Sequence, residues 1–512
     1  MSAVEEARAA LQDTARHESL ARQRARGKLT ARERVAALLD VGSFLEVGGF
    51  ATAEPDGETG RRLSPADGVV TGTGRIEGRA VVVVAQDFSV SGGSIGRLGT
   101  AKTVHATETA VARGLPLVLL LDGGGHRIQD GQDARSFAHA SPLIRTLARA
   151  SGWVPMVALM LGPGFAGPTN FAGLSDLVVM VRGISAMGMA GPALVKAATG
   201  EAIGQEELGG ADTQTHAHGL ADLALECEAE ALAAARRFLG YLPANARAPQ
   251  AVQACDDPPD RRDEALLDLV PADRRKGFDV RLVIGGIADR GSVFELKPRY
   301  AANMVTALAR LDGRPVGVLA NQSLRLGGII DSAAAEKGAS FIAFCDAYGI
   351  PLVSLIDVPG FLIGSGAERS GLGRRSAKLP FEWAHATVPR ISVVLRKGYG
   401  LGYIAMAGGR SMQADAAFAW PSAEICAMSI EGSVDVAYRR DYEAATDPAV
   451  RRQALIDGIR TRTGALRAAE GFGVDDVIDP RDTRARIIEV LRQTEGREHG
   501  GMPPKKRSIP PI

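Results

Sequence analysis

The sequence predicts an α/β fold built as two tandem domains related by internal duplication, and three observations carry that reading. The first is self-similarity at a constant separation of 235 residues, the value of 337 less 102 that pairs Lys102 with Lys337. In that register Arg79-Ala80-Val81-Val82-Val83-Val84-Ala85 returns as Arg314-Pro315-Val316-Gly317-Val318-Leu319-Ala320, Gly92-Gly93 as Gly327-Gly328, Pro116 as Pro351 and Asp122 as Asp357. A period this long indicates tandem domains rather than a solenoid. The second is length, since 512 residues exceed the size at which a single core stops growing. The third is the alternation of short β-branched runs, glycine turns and helical stretches. The expected domains are residues 1–255 and 256–512.

Along the chain, residues 5–40 read as helix, with Leu11, Leu29, Val35, Leu38 and Leu39 among many charges, closed by Asp40-Val41-Gly42. Strands follow at Gly68-Val69-Val70 and Val81–Ala85, then a helix at Val104–Arg113 ended by Gly114. Further strands are read at Val154–Leu161, Leu177–Val181 and Ile391–Leu395. Prolines 243, 249, 258, 259 and 271 among clustered Asp and Arg make 240–275 an exposed connection. The second copy runs from near Phe278 to about residue 490. The basic, proline-rich end from Met502 to Ile512 reads as an extended tail.

Composition narrows the function classes. Sixty basic and 59 acidic residues leave a net charge of +1, so no nucleic acid or membrane partner is indicated. Cys227, Cys255, Cys345 and Cys426 form no CxxC pair, which excludes a zinc ribbon or disulfide scaffold and fits a reducing cytoplasm. No apolar run has the length of a membrane span, the start carries no apolar signal core, and no metal is expected.

Chemistry is expected in the glycine loops that follow strands, where backbone N–H groups can converge on one oxygen at a helix start. Two such loops correspond: Gly162-Pro163-Gly164-Phe165-Ala166-Gly167-Pro168 and Lys397-Gly398-Tyr399-Gly400-Leu401-Gly402-Tyr403. The separation of 235 aligns Ala166-Gly167 with Leu401-Gly402 as two oxyanion holes. Asp122 and Asp357, at the ends of matching strands, read as turn or helix-capping residues. Lys102 reads as a solvated helix lysine or a phosphate contact.

Separated motifs run nearly end to end: Arg26-Gly27-Lys28-Leu29-Thr30, Gln86-Asp87-Phe88, Gly92-Gly93-Ser94, Arg127-Ile128-Gln129, Glu207-Leu208-Gly209-Gly210, Ala320-Asn321-Gln322, Asp357-Val358-Pro359-Gly360-Phe361, Ala419-Trp420-Pro421 and Pro504-Lys505-Lys506. With them the chain resembles the carboxyltransferase (β) subunit of biotin-dependent acyl-CoA carboxylases, the propionyl-CoA carboxylase group. The resemblance implies two crotonase-like domains, an acyl-CoA side in the first and a biotin side in the second. It implies that carboxybiotin on a partner gives up CO₂, that the ureido anion takes the α-proton of an acyl-CoA, and that the thioester enolate attacks the CO₂. Ala166 and Gly167 would hold the enolate, and Leu401 and Gly402 the biotin. Cofactor contacts are expected from Gly92, Gly93, Lys102, Gly124, Gly125 and Arg127, and from Pro359, Gly360 and Phe361. Phe165, Tyr403 and Ile404 are expected to set substrate choice; propionyl-preferring relatives often carry Asp where Ile404 stands. His126 departs from the family pattern beside the CoA loop.

The resemblance also implies a homo-oligomer, a hexamer arranged as a trimer of dimers. With no Ala-Met-Lys-Met motif and no ATP-grasp domain, the chain is expected to need a partner bearing biotin carboxylase and biotin carboxyl carrier domains. The alternatives are a biotin-dependent acyl-CoA decarboxylase subunit, a biotin-independent crotonase-like acyl-CoA enzyme, and a non-catalytic assembly subunit.

Overall fold

The computed structural model describes residues 2–13, 17–52, 64–131, 134, 142–496 and 509, so that most of the C-terminal tail lies outside the described residues. The chain forms two compact units, one of Met1–Pro249 that takes in Ile509, the other of Gln250–Lys505. The break falls earlier than the 255/256 boundary read from the sequence. The stretch read as a single helix over 5–40 is three, Ala3–Leu11, His17–Arg24 and Ala31–Leu38. Gly27, at φ +73°, turns the chain, and Thr30 with Glu33 forms a capping box that starts the third.

The N-terminal unit contains β1 (Leu45–Val47), β2 (Val69–Ile76), β3 (Arg79–Gln86), β4 (Leu117–Leu121), β5 (Met156–Met160), β6 (Pro163–Phe165), β7 (Leu177–Val181), β8 (Ala186–Gly188) and β9 (Leu223–Leu225). Its main sheet has the order β1-β2-β3-β4-β5-β7-β9, and β6 pairs with β8 separately. The C-terminal unit contains β10 (Phe294–Leu296), β11 (Met304–Leu311), β12 (Arg314–Asn321), β13 (Leu352–Val358), β14 (Arg390–Tyr399), β15 (Ala416–Ala419), β16 (Glu424–Cys426) and β17 (Asp476–Val477). Its order is β10-β11-β12-β13-β14-β15-β17, with β16 beside the end of β14. In each sheet the first three strands run antiparallel and the rest parallel.

The duplication is visible bond by bond. Val69 pairs with Gln86, and Met304 with Asn321, each at the separation of 235. The hairpins close on Glu77-Gly78 and Asp312-Gly313, all four at positive φ, the geometry that matches the twist of paired strands. Each turn hands its N–H groups to a carboxylate, Asp40 in one unit and Asp289 in the other. Lys102 is not a solvated lysine: burial pushes its ammonium down to about 8, and Nζ donates to the carbonyls of Ala66 (2.9 Å) and Val69. Lys337 reaches the matching carbonyls, Ala301 (3.5 Å) and Met304 (2.6 Å). Both lysines pin the loop entering a central hairpin.

At the end of the middle strand of each unit lies a fully buried carboxylate, and neither is the turn or capping residue expected. Asp122 is held by Lys28 and by Arg34 (2.7 Å), whose guanidinium also grips Glu228. Asp357 is held by Arg396 (2.9 Å) and accepts from the Lys397 backbone (3.0 Å). Gly162 makes room for the first arrangement, because a Cβ there would stand 1.9 Å from an Asp122 oxygen. Around these charges pack alternating apolar residues, Val82, Val84, Leu117 and Leu119 in one core and Val316, Val318, Val353 and Leu355 in the other.

The stretch 240–275 is less loose than its composition implies. Arg261 donates to the carbonyls of Gly286 and Ala288, and buried Arg484 donates to those of Asp257 and Pro258. Among the described residues no helix is long and apolar enough to cross a membrane.

Removing a partner from a buried pair leaves an uncompensated charge, which typically costs about 3–5 kcal/mol. Asp122→Asn, which strands Lys28 beside Arg34, is therefore expected to destabilise the N-terminal unit by about that amount, read as a lowered midpoint in urea unfolding.

Candidate functional site

The glycine loops gather at the carboxyl ends of the parallel strands. In the N-terminal unit the Gly92–Ser94 turn lies against Asp122–Gly125 so closely that a Cβ on Gly93 would sit 2.1 Å from the Asp122 carbonyl, and one on Gly123 2.2 Å from the Gly93 carbonyl. A parallel bridge from Ile95 to His126 ties the loops, and Ile330 with Phe361 repeats it in the C-terminal unit. Gly93 is thus a packing residue, whereas Gly92 and Gly124 have open space around them. Gly125 lies next to the donor loop, an added Cβ standing 3.9 Å from Gly167 N.

Arg127 is turned inward. Its guanidinium pairs with fully buried Asp67 (2.7 Å) and donates to the Ser94 carbonyl (3.2 Å), so it organises the loop instead of presenting a free cation. With Lys102 also internal, neither expected phosphate contact offers an open charge. His126 is exposed.

The strand ladders revise the alignment of the two oxyanion loops. The separation is still 235 at Leu117 and Leu352, but their partners Met156 and Arg390 differ by 234 (390 less 156). The slip persists: Phe165 faces Gly188, Tyr399 faces Cys426, and the next residue in each copy has positive φ, Ala166 at 60° and Gly400 at 56°. Ala166 therefore corresponds to Gly400, and Gly167 to Leu401. The sequence alignment missed this because a one-residue deletion between flanking strands leaves the small-residue pattern in apparent register.

The slip changes which N–H groups are available. Ala166 N donates to the Gly188 carbonyl (2.8 Å), so it is spent on the turn. Gly167 opens helix Gly167–Gly173, its N–H lies among the first-turn donors that no helical carbonyl can reach, and Pro168 adds none. In the C-terminal unit, helix Gly400–Ala405 begins at the turn, and both Leu401 and Gly402 lie in its unpaired first turn. Gly402 abuts Gly360, where a Cβ would meet the Gly360 Cα at 2.9 Å, which places Pro359 and Gly360 beside the donors.

The three expected specificity residues divide. The Tyr403 ring is packed inward, since Cβ atoms on Gly398 and Gly408 would collide with it, and burial pushes its phenol up to about 12. Phe165 packs against Gly188 and Gly191. Ile404 is 39% exposed and shares the outer face of its helix with Leu401, 61% exposed.

The profile of the carboxyl transferase domain matches residues 22–509. The chain is 41% identical over 448 residues to the propionyl-CoA carboxylase carboxyltransferase subunit of Haloferax mediterranei, covering 87% of this chain and 86% of that one. It is 37% identical over 446 residues to the methylmalonyl-CoA decarboxylase subunit alpha of Veillonella parvula, covering 87% and 86%. Among solved structures, the hexameric transcarboxylase 12S with methylmalonyl-CoA bound superposes with a TM-score of 0.90 at 40% identity, over 96% of this chain and 94% of that one.

Ala166 holds a backbone conformation suited to glycine, at a cost of about 1 kcal/mol or more. Ala166→Gly is expected to raise the midpoint of thermal unfolding. Gly400→Ala is expected to lower it, because the new Cβ would also stand 2.6 Å from the Ala427 carbonyl.

Proposed function

The chain belongs to the carboxyl transferase domain family, and from that premise we propose that it carries a carboxyl group from carboxybiotin on a partner protein to the α-carbon of an acyl-CoA. Its two crotonase-like units divide the work, the acyl-CoA thioester at the N-terminal unit and the biotin ureido group at the C-terminal one. The observation that carries this reading is the pair of unfilled donor turns, each at a helix start that follows a strand end.

The donor sets fit ligands of this kind. When bound, carboxybiotin supplies the carboxyl group and the base for the α-proton. The chain's own task is to hold two oxygens as they become negative. Gly167 N–H meets the thioester oxygen, with Gly124 and Gly125 forming the adjacent backbone wall. Leu401 and Gly402 N–H meet the ureido oxygen, with Gly360 alongside. Such donors act most strongly as charge develops and therefore lower the barrier rather than merely tightening binding. Ala166, named above as a donor, becomes the residue that shapes the turn. Lys102 and Arg127 become supports of the loop.

The partner is a biotin carboxylase with a biotin carboxyl carrier, and the assembly is a homo-oligomer of the hexameric kind seen in transcarboxylase 12S. Four free cysteines are consistent with a cytoplasmic location. Ile404, apolar and outward, favours an acyl group other than propionyl. A relative named as a methylmalonyl-CoA decarboxylase subunit keeps the reverse direction as the second reading. Fixation of labelled bicarbonate by the chain with its biotin-bearing partner and ATP, across a panel of acyl-CoAs, tests the forward reading; ATP-independent release alone would support the reverse.

Leu401 is exposed and lies in the first turn of its helix, where proline is tolerated and the N–H has no helical partner, so Leu401→Pro deletes one donor with little strain. The expected result is a loss of about 10²- to 10³-fold in transfer rate, measured with the oligomer intact by gel filtration.

A further inference from the structure

The end of β14 carries a polar network with no counterpart among the described residues of the N-terminal unit. Arg396, besides gripping Asp357, donates to the carbonyls of Pro271 (3.2 Å), Asp273 (3.2 Å) and Lys276 (2.9 Å). Residues 271–276 are thereby lashed to the strand. From this strap Arg274 reaches Glu424 on β16, Nη2 to Oε2 2.8 Å. Glu424 is 2% exposed, and its other oxygen accepts from the Tyr399 hydroxyl. Tyr399 immediately precedes Gly400, the pivot of the donor turn.

The ladders identify the counterparts. Tyr399 matches Phe165, and Glu424, opposite Lys397, matches Ala186, opposite Pro163. The N-terminal unit builds the same turn from a phenyl ring and a methyl group. A buried carboxylate beside an arginine carries a desolvation cost that pairing often only offsets, so stability alone does not account for this replacement. What the network does is fix the entry to the first helical turn from two directions, through the strap and through β16.

We propose that Tyr399, Glu424 and Arg274 are positioning residues for carboxyl transfer: they hold the Tyr399-Gly400 hinge so that the N–H groups of Leu401 and Gly402 converge on one oxygen. The proposal rests on the donor role given to those two residues above. Donors that must meet a developing charge tolerate displacements of well under 1 Å, whereas the acyl-CoA contacts, Ile404 apart, are assigned to the N-terminal unit and do not lie on this hinge.

The test is Tyr399→Phe in the full-length chain with its biotin-bearing partner, comparing kcat, KM for the acyl-CoA and thermal midpoint. The expected result is a fall in kcat of about 10-fold with KM for the acyl-CoA within about twofold. Glu424→Gln is expected to give a similar loss, and the double variant no more than the larger single one, because the pair acts as a unit. Unchanged kcat in Tyr399→Phe, or losses that add and follow the thermal midpoint, would overturn the positioning role. Leu401→Pro run alongside separates the two readings. If it keeps full rate, the donor role falls and this proposal with it; if it loses rate while Tyr399→Phe keeps it, the positioning role alone falls.

Discussion

A carboxylate buried at the end of the central strand is the constraint around which each unit is arranged. Asp122 and Asp357 are fully buried, and an ion in such a place must be paired or the fold loses several kcal/mol. The copies meet this demand differently. In the N-terminal unit the cations come from far away, Lys28 and Arg34, which obliges the opening helices to dock and keeps position 162 a glycine. In the C-terminal unit the structural counterpart of Gly162 is Arg396, which supplies the cation from the next strand. Both solutions leave the strand ends rigid where the glycine loops converge.

From that common frame the donor turns have diverged. One has Ala166 in a glycine conformation, its N–H consumed by Gly188, and a proline next after Gly167, so one free first-turn donor precedes the proline. The other has Gly400 at the pivot and two consecutive donors. A thioester oxygen and a urea oxygen make different demands, and the copies are shaped accordingly.

Much of this was legible in the residues. Hydrophobic periodicity and in-register Gly, Pro and Asp matches located the strands, the duplication and both donor loops. The pairing of Ala166 with Leu401 does not hold because a single-residue slip is invisible where glycines stand at both 400 and 402; the ladder partners Met156 and Arg390 expose it. The surroundings of Lys102 and Arg127 are illegible for a different reason. A cation in a glycine-rich sequence looks ligand-facing, and nothing in the neighbouring residues discloses that Asp67 or a backbone carbonyl will claim it. The Tyr399–Glu424–Arg274 chain joins residues distant in sequence and has no local signature.

The two ways of neutralising the strand-end carboxylate also set an order of assembly. In the C-terminal unit the pairing residues are 39 apart, whereas in the N-terminal unit Arg34 must find partners 88 and 194 positions away. Closing the longest of these loops costs about 1.4 kcal/mol more in chain entropy than closing the shortest, and non-local closure is slower. The half of the chain synthesised last is therefore built to consolidate its charge centre soonest, while the half synthesised first waits for its own far end.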